Sequence, residues 1–195
     1  ALPIWSKISN NKYNIEFVSA NPTGPMHVGH CRGAIFGDVL ANLLKFNGNI
    51  VIKEYYINDY GNQIDNFVES VFLRIKEIKF KEKFPVKDNL YPGQYIKEIA
   101  KKILDKNKNI NFDNYDKIFN FLKEKSLIES MELIKNDLNS LGISHDNFIS
   151  ETDLVNKDLV NKTVKKLIDR KFVEEGYLPP PKGEINENWK KTKRL

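Results

Sequence analysis

The sequence predicts an α/β protein: a parallel sheet whose strand–helix rhythm is broken by a long helical stretch. Three observations carry this. Residues 15–57 run from a β-branched stretch through a loop and a helical apolar repeat into a second β-branched stretch. Residues 64–142 then keep helical periodicity almost throughout. A short strand-like run, Asn147-Phe148-Ile149-Ser150, follows them.

The first element is a strand over residues 15–19, Ile-Glu-Phe-Val-Ser. Residues 20–26 cannot be helical, because they hold two prolines, a glycine and an Asn-Pro step. From about His27 to Phe46, Ala34, Ile35, Val39, Leu40, Leu43 and Leu44 recur at intervals of three and four, giving a helix with one apolar face. Asn47-Gly48-Asn49 stops it. Residues 50–57 are β-branched and aromatic, a second strand. A strand–helix–strand unit of this kind crosses over right-handed with its strands parallel.

Asn58-Asp59-Tyr60-Gly61 breaks the second strand. Helices are expected over residues 62–77, 94–104 and 115–141, the last stopped by Gly142. After the return strand, residues 154–170 read as one helix and 172–177 as a strand. Pro179-Pro180-Pro181 ends regular structure, and the basic tail 189–195 lacks a fold of its own. The organisation is therefore residues 1–63, a helical insertion over 64–142, and a return over 143–195.

Composition narrows the class. With 195 residues, 41% of them hydrophobic, the chain suffices for one sizeable core or a core plus a small insertion. No apolar run approaches the length of a membrane span. The start, Ala1-Leu2-Pro3-Ile4-Trp5, lacks a signal-peptide pattern and an initiator Met, which points to a fragment or a processed chain. Cys31 is the single cysteine, so no internal disulfide or multi-cysteine zinc site forms, and a reducing compartment fits. The net charge of +5 comes almost wholly from Lys, with Arg only at Arg32, Arg74, Arg170 and Arg194. The lysines alternate with acids along the whole chain, which reads as a solvated surface rather than an RNA patch.

The densest chemistry lies in Ser19–His30, SANPTGPMHVGH. A strand ends, a rigid loop follows, and a helix begins. Ligands of open α/β sheets sit beyond the carboxyl ends of strands. A helix N-terminus offers free N–H groups and partial positive charge to a phosphate chain. Gly24 permits a backbone shape that other residues resist. Gly29 removes a side chain where a flat ligand could approach. His27 and His30, three apart, project on one side of the first turn. There they can bind phosphate oxygens and stabilise charge on a leaving pyrophosphate.

Other readings of these residues stand beside that one. Two imidazoles can bind a metal, but zinc needs further ligands, and Cys31 and Asp38 are poorly placed, so no metal site is expected. The pair can also be structural. Asp59, Gly61 and Gln63 lie on the expected ligand edge, yet Asp59 or Asn62 can equally cap the following helix. Glu151 alone reads as an acid stabilising a helix N-terminus. His145 reads as a surface residue or one backing the site.

His27-Val28-Gly29-His30 resembles the HIGH signature of class I aminoacyl-tRNA synthetases. The flanking residues narrow the resemblance to the arginine-specific family. Glu16-Phe17-Val18-Ser19-Ala20-Asn21-Pro22-Thr23-Gly24-Pro25, Cys31-Arg32-Gly33-Ala34 and Gly37-Asp38 are similar to that family's segments around the signature. So, in order, are Tyr55–Gln63, Tyr91-Pro92-Gly93-Gln94-Tyr95, Phe148-Ile149-Ser150-Glu151, Pro180-Pro181-Lys182-Gly183 and Trp189.

The resemblance implies a partial Rossmann-like (HUP-type) parallel sheet with a mainly helical insertion. It implies ATP, carried with Mg2+, bound at Pro22, Gly24, His27, Gly29 and His30, with His27 and His30 catalytic. It implies arginine held by Ser19, Asn21, His30 and Glu151, with Asp59, Gly61 and Gln63 as an active-site wall. A carboxylate at Glu151 suits a guanidinium, which it can meet through two parallel hydrogen bonds. The parent protein would be a monomeric, cytoplasmic arginine–tRNA ligase with L-arginine, ATP and tRNA(Arg) as partners and none in the membrane. The second half of the catalytic fold and an anticodon-reading domain are missing, so the isolated piece is expected to be inactive. A small-molecule nucleotidyltransferase with the same HxGH chemistry, or a non-catalytic binding module, remain as alternatives.

Overall fold

A computed structural model describes residues 10–174, 176–177 and 193–194. The chain divides into two compact units, Ala1–Thr152 and Asp153–Leu195. The first unit opens with β1 (Lys12–Glu16), α1 (Val28–Phe46) and β2 (Ile50–Ile57). β1 runs parallel to β2, from Lys12 opposite Ile50 to Glu16 opposite Glu54. β3 (Asn147–Ser150) runs parallel along the other edge of β2, giving the order β1-β2-β3. All three strands therefore end at one edge of the sheet.

β2 alternates, with Val51, Lys53 and Tyr55 buried. A buried ammonium needs partners. Lys53 Nζ has them in Asp38 Oδ1 at 2.5 Å and Asn42 Oδ1 at 3.0 Å, both on α1. Its main chain bonds reciprocally with Asp146, N to Oδ2 at 2.8 Å and O from Asp146 N at 2.8 Å, which fixes the register of β3.

Between β2 and β3 lie α2 (Asn62–Phe80), α3 (Gln94–Lys106) and α4 (Tyr115–Ser140). Ile64, Phe67, Val68, Val71 and Ile75 of α2 meet Ile96, Ile99, Ala100 and Ile103 of α3 at helical spacing, with Phe112, from the segment before α4, and Leu122 of α4 completing the buried cluster. Farther along α4, Met131, Ile134 and Leu138 enter the second cluster with Phe17, Ala34 and Tyr55. α4 has 26 residues, about 39 Å of helix, and so joins the helical core to the sheet core.

The boundary between the units falls within α5 (Glu151–Asn156). Beyond it lie α6 (Leu159–Asp169), β4 (Gly176–Tyr177) and β5 (Lys193–Arg194), and β4 pairs antiparallel with β5.

The structure corrects several expectations. β1 ends at Glu16 instead of reaching Ser19, because Val18 and Ser19 take positive φ of 68° and 43°. Most of the apolar repeat of α1 misses the core: Ala34 is buried, but Ile35, Val39, Leu40 and Leu43 are exposed, and the small residues Gly37 and Ala41 are buried beside Ala34. The reason is close approach, since a Cβ on Gly37 would lie within 2.5 Å of Phe17 Cβ and Cδ2. The helix expected over 154–170 is split at Asp158, which takes φ 56°. The strand expected over 172–177 is reduced to two residues, and Lys193–Arg194 of the tail does form a strand. Residues 179–183 and Trp189 lie outside the described residues.

Candidate active site

The main chain kinks just after β1, where Ser19 N donates to Phe17 O at 3.0 Å. Positive φ is strained for a β-branched residue such as Val18, so neighbours must impose it. Phe17 is wedged between α1 at Gly37 and the ring of His145, 4.2 Å away between centroids. Ser19 Oγ accepts from Tyr56 N at 3.0 Å and donates to Glu16 Oε1. Tyr55 Oη donates to Ala20 O at 2.9 Å. Past the kink, Ser19 and Ala20 lie beside Tyr56 and Tyr55 at the end of β2, and Asn21 beside Asn58 just beyond it.

His27 is the N-cap of α1 rather than its first helical residue. Its Nδ1 accepts from Gly29 N at 3.1 Å and His30 N at 3.4 Å. His30 Nδ1 accepts from His27 N at 3.4 Å, so two imidazoles form a capping box. The rings stack with centroids 3.6 Å apart and planes 17° from parallel. With each Nδ1 used as acceptor, the neutral rings carry their proton on Nε2, a donor for a ligand oxygen. Burial, and next the charge of His27, pushes the pKa of His30 down. This corrects the expectation of free N–H groups at the helix start, because the His27 ring already takes two of them.

The cap also explains Gly29: a Cβ there would sit 3.0 Å from His27 Cε1. Gly24 is corrected likewise. Its φ is not in the left-handed region, and what demands glycine is Tyr95, whose Cζ would lie 2.9 Å from a Cβ.

Val18, Ser19, Asn21, Gly24, His27 and His30 line a cleft of about 510 Å³, with Tyr95 of α3 as a wall. Pro22 is buried and outside that lining, where Pro25 is found instead. A second cleft of about 400 Å³ adjoins at Asn21 and is lined by Asn58, Tyr60, Gly61, Asn62 and Gln63. Asn21 spans the two: its Nδ2 donates to Gln63 Oε1 at 2.7 Å and its Oδ1 accepts from Asn58 Nδ2 at 3.2 Å. A larger hollow of about 1050 Å³ lies between α2, residues 81–84 and α3, with lysines and carboxylates balanced around it and no catalytic pair.

Asp59 does not cap α2, whose N-cap is Gly61 at φ 99° without a side-chain bond. Asp59 instead accepts from Ser150 Oγ at 2.6 Å and Thr152 N at 2.8 Å, tying the end of β2 to the end of β3. Glu16 is the last residue of β1, while Asp59 and Glu151 follow β2 and β3. The pKa of Tyr56 is raised first by burial and then by the charges of Glu151, Asp59 and Glu16. Sequence reasoning singled out neither Glu16 nor Tyr56. In the sequence Glu16 lies inside the expected strand 15–19, so nothing marks it as a strand end.

His145 is not a surface residue. It is half-buried against Phe17, Tyr55 and Phe148, and burial pushes its pKa down. Among the described residues, no group of three or more His, Cys, Asp or Glu could hold a metal ion. Among them, too, no helix is long and apolar enough to cross a membrane.

Residues 5–177 match the family described as tRNA synthetases class I (R), catalytic domain. The chain belongs to that family. It is 54% identical over 191 residues to the arginine–tRNA ligase of Pelagibacter ubique (strain HTCC1062), covering 97% of this chain and 33% of that protein. It is 48% identical over 187 residues to the arginine–tRNA ligase of Wolbachia sp. subsp. Brugia malayi (strain TRS), covering 96% and 33%. Among solved structures, an arginyl-tRNA synthetase from Campylobacter jejuni aligns with TM-score 0.76 and 34% identity, over 87% of this chain and 38% of that one. The chain spans about a third of the length of the curated relatives it matches. The class I resemblance read from the HxGH segment and its α/β fold are therefore established.

Proposed function

We propose that the protein carrying this chain activates L-arginine with ATP and passes it to tRNA(Arg). In the first step an arginine carboxylate oxygen attacks the α-phosphorus of ATP and pyrophosphate leaves, giving arginyl-adenylate. In the second, a hydroxyl of the terminal tRNA ribose attacks the carbonyl carbon and AMP leaves. Mg2+ enters with the nucleotide as part of the substrate.

The observation that carries this reading is the neighbourhood of two unlike sites at one sheet edge. The stacked His27–His30 pair lines a cleft suited to a phosphate chain. Their Nε2–H groups donate to phosphate oxygens as negative charge builds on the leaving pyrophosphate. Beside it, Glu16, Asp59 and Glu151 stand at the carboxyl ends of the three strands, and their charges help raise the pKa of Tyr56. Those acids suit a guanidinium, with Glu151 as the carboxylate that pairs with it. Ser19 and Asn21 lie between and hold the α-amino and carboxylate groups. Pro22, Gly24 and Gly29 shape the ATP side, and Asp59, Gly61 and Gln63 form the far wall.

On this reading residues 1–63 and 143–195 belong to the catalytic fold and 64–142 are inserted into it. The protein works as a cytoplasmic monomer. ATP–pyrophosphate exchange, with each amino acid in turn and with or without total tRNA, tests it. Exchange with arginine alone, lost in His30→Ala and Glu151→Gln, is expected. Exchange with another amino acid refutes the role of Glu151. No exchange with any amino acid leaves the nucleotidyltransferase or binding-module reading.

A further inference from the structure

Residues 20–26 connect the strained turn to His27, yet they have almost no main-chain bonding of their own. Among the described residues, their single internal main-chain bond is Thr23 N to Asn21 O, at 2.8 Å. Side chains from elsewhere hold the loop at every third residue. Tyr55 of the sheet donates to Ala20 O at 2.9 Å. Tyr95 of α3 donates to Thr23 O at 3.0 Å. Asp137 of α4 accepts from Met26 N at 2.9 Å, immediately before His27. Two of these three main-chain holds thus come from helices between β2 and β3.

Those helices are packed into the core where they reach the loop. Tyr95 lies in the first turn of α3, next to Ile96, which is fully buried. Its ring passes so close to the main chain that a Cβ at Gly24 would meet Cζ at 2.9 Å and one at Gly93 would meet Cδ1 at 2.7 Å. Asp137 is flanked on α4 by the buried Ile134 and Leu138. A glycine- and proline-rich loop held this way takes its shape from the helices rather than from its own sequence.

We infer that α3 and α4 clamp the loop ahead of the histidine pair, with Tyr95 and Asp137 as positioning residues for His27 and His30. Neither acts on a reacting atom. Each fixes a main-chain group within four residues of His27. The kinetic consequence rests on the arginine-activation reading, whereas the mechanical one does not.

The test uses Tyr95→Phe, Asp137→Ala and Asp137→Asn in the protein carrying this chain. Phe keeps the ring and loses the hydroxyl. Asn keeps an oxygen acceptor for Met26 N–H, and Ala does not. Amide hydrogen exchange of residues 20–30 is expected to be about fivefold faster in Tyr95→Phe and Asp137→Ala, with α3 and α4 unchanged and Asp137→Asn close to the unsubstituted protein. Arginine-dependent pyrophosphate exchange is expected to lose about tenfold or more in kcat in the same two variants, with KM for ATP changed less. Unchanged loop amides overturn the clamp. Looser loop amides with unchanged kcat overturn the positioning role. If the unsubstituted protein shows no arginine-dependent exchange, the activation reading fails, and the amide measurement still decides the clamp.

Discussion

Gly37→Ala pits two physical effects of opposite sign against each other. In an isolated helix, glycine to alanine stabilises by about 1 kcal/mol. Here a Cβ at position 37 would lie within 2.5 Å of Phe17 Cβ and Cδ2. Carbon atoms rest about 3.5 Å apart, so Phe17 must retreat by about 1 Å. It cannot do so freely, being 8% exposed and backed by the His145 ring. Overpacking of this kind costs about 1–3 kcal/mol, which equals or exceeds the propensity gain. The net expectation is a loss of up to about 2 kcal/mol, read by urea unfolding. Moving Phe17 also moves Val18 and Ser19, and a shift of about 1 Å in a site costs about a hundredfold in rate. Pyrophosphate exchange should therefore fall far more than stability does. A variant that is more stable and equally active would refute the packing argument.

His27→Asn and His27→Ala separate capping from chemistry. Asn keeps an N-cap acceptor and should unfold within about 0.5 kcal/mol of the unsubstituted chain, whereas Ala loses about 0.5–2 kcal/mol. Both should lose pyrophosphate exchange, and activity in the Asn variant would show that His27 only caps. The pH dependence of stability follows from His30 and His145, whose folded pKa values both lie below the ordinary 6.5. The unfolded chain then binds more protons as pH falls, so their contribution is complete above about 6.5 and lost as pH drops through the folded values. The melting midpoint should fall from pH 7 to 5, less steeply in His145→Gln, and a midpoint flat over that range would contradict the lowered imidazole pKa values.

Elements bounded by strong local punctuation were legible in the sequence. The bounds of β2 and β3 follow from β-branched runs between breakers, and Gly142 at φ 72° marks where α4 has ended. The end of β1 was not legible. Val18 has strong strand propensity, and only the distant wedge of Gly37 and His145 on Phe17 turns it aside. The outward apolar face of α1 misled for a related reason. Periodicity reports a stripe, but not that a close helix–strand approach will select the small residues beside it. In the site, the histidine pair was visible because its partners are three residues apart. Tyr95 and Asp137 reach the loop from 72 and 111 residues away, a separation that no spacing rule encodes.

The strain at Val18 and Ser19 is intelligible from what the kink achieves. A non-glycine residue at positive φ costs about 1–3 kcal/mol. Bonds made only because the chain turns there oppose that cost: Tyr56 N to Ser19 Oγ, Ser19 to Glu16, and Tyr55 to Ala20 O. Each contributes about 0.5–1.5 kcal/mol, and the burial of Phe17 adds to them, so the two sides are comparable. An unstrained continuation of β1 would be no worse energetically, but it would aim the side chains of Ser19 and Asn21 differently. The kink sets them beside the end of β2 and the loop that follows it. Asn21 then meets Asn58 and Gln63, and Ser19 meets Glu16. A near-neutral local balance spent on direction rather than stability is what a binding site requires, since it fixes polar groups that the sheet alone would leave pointing elsewhere.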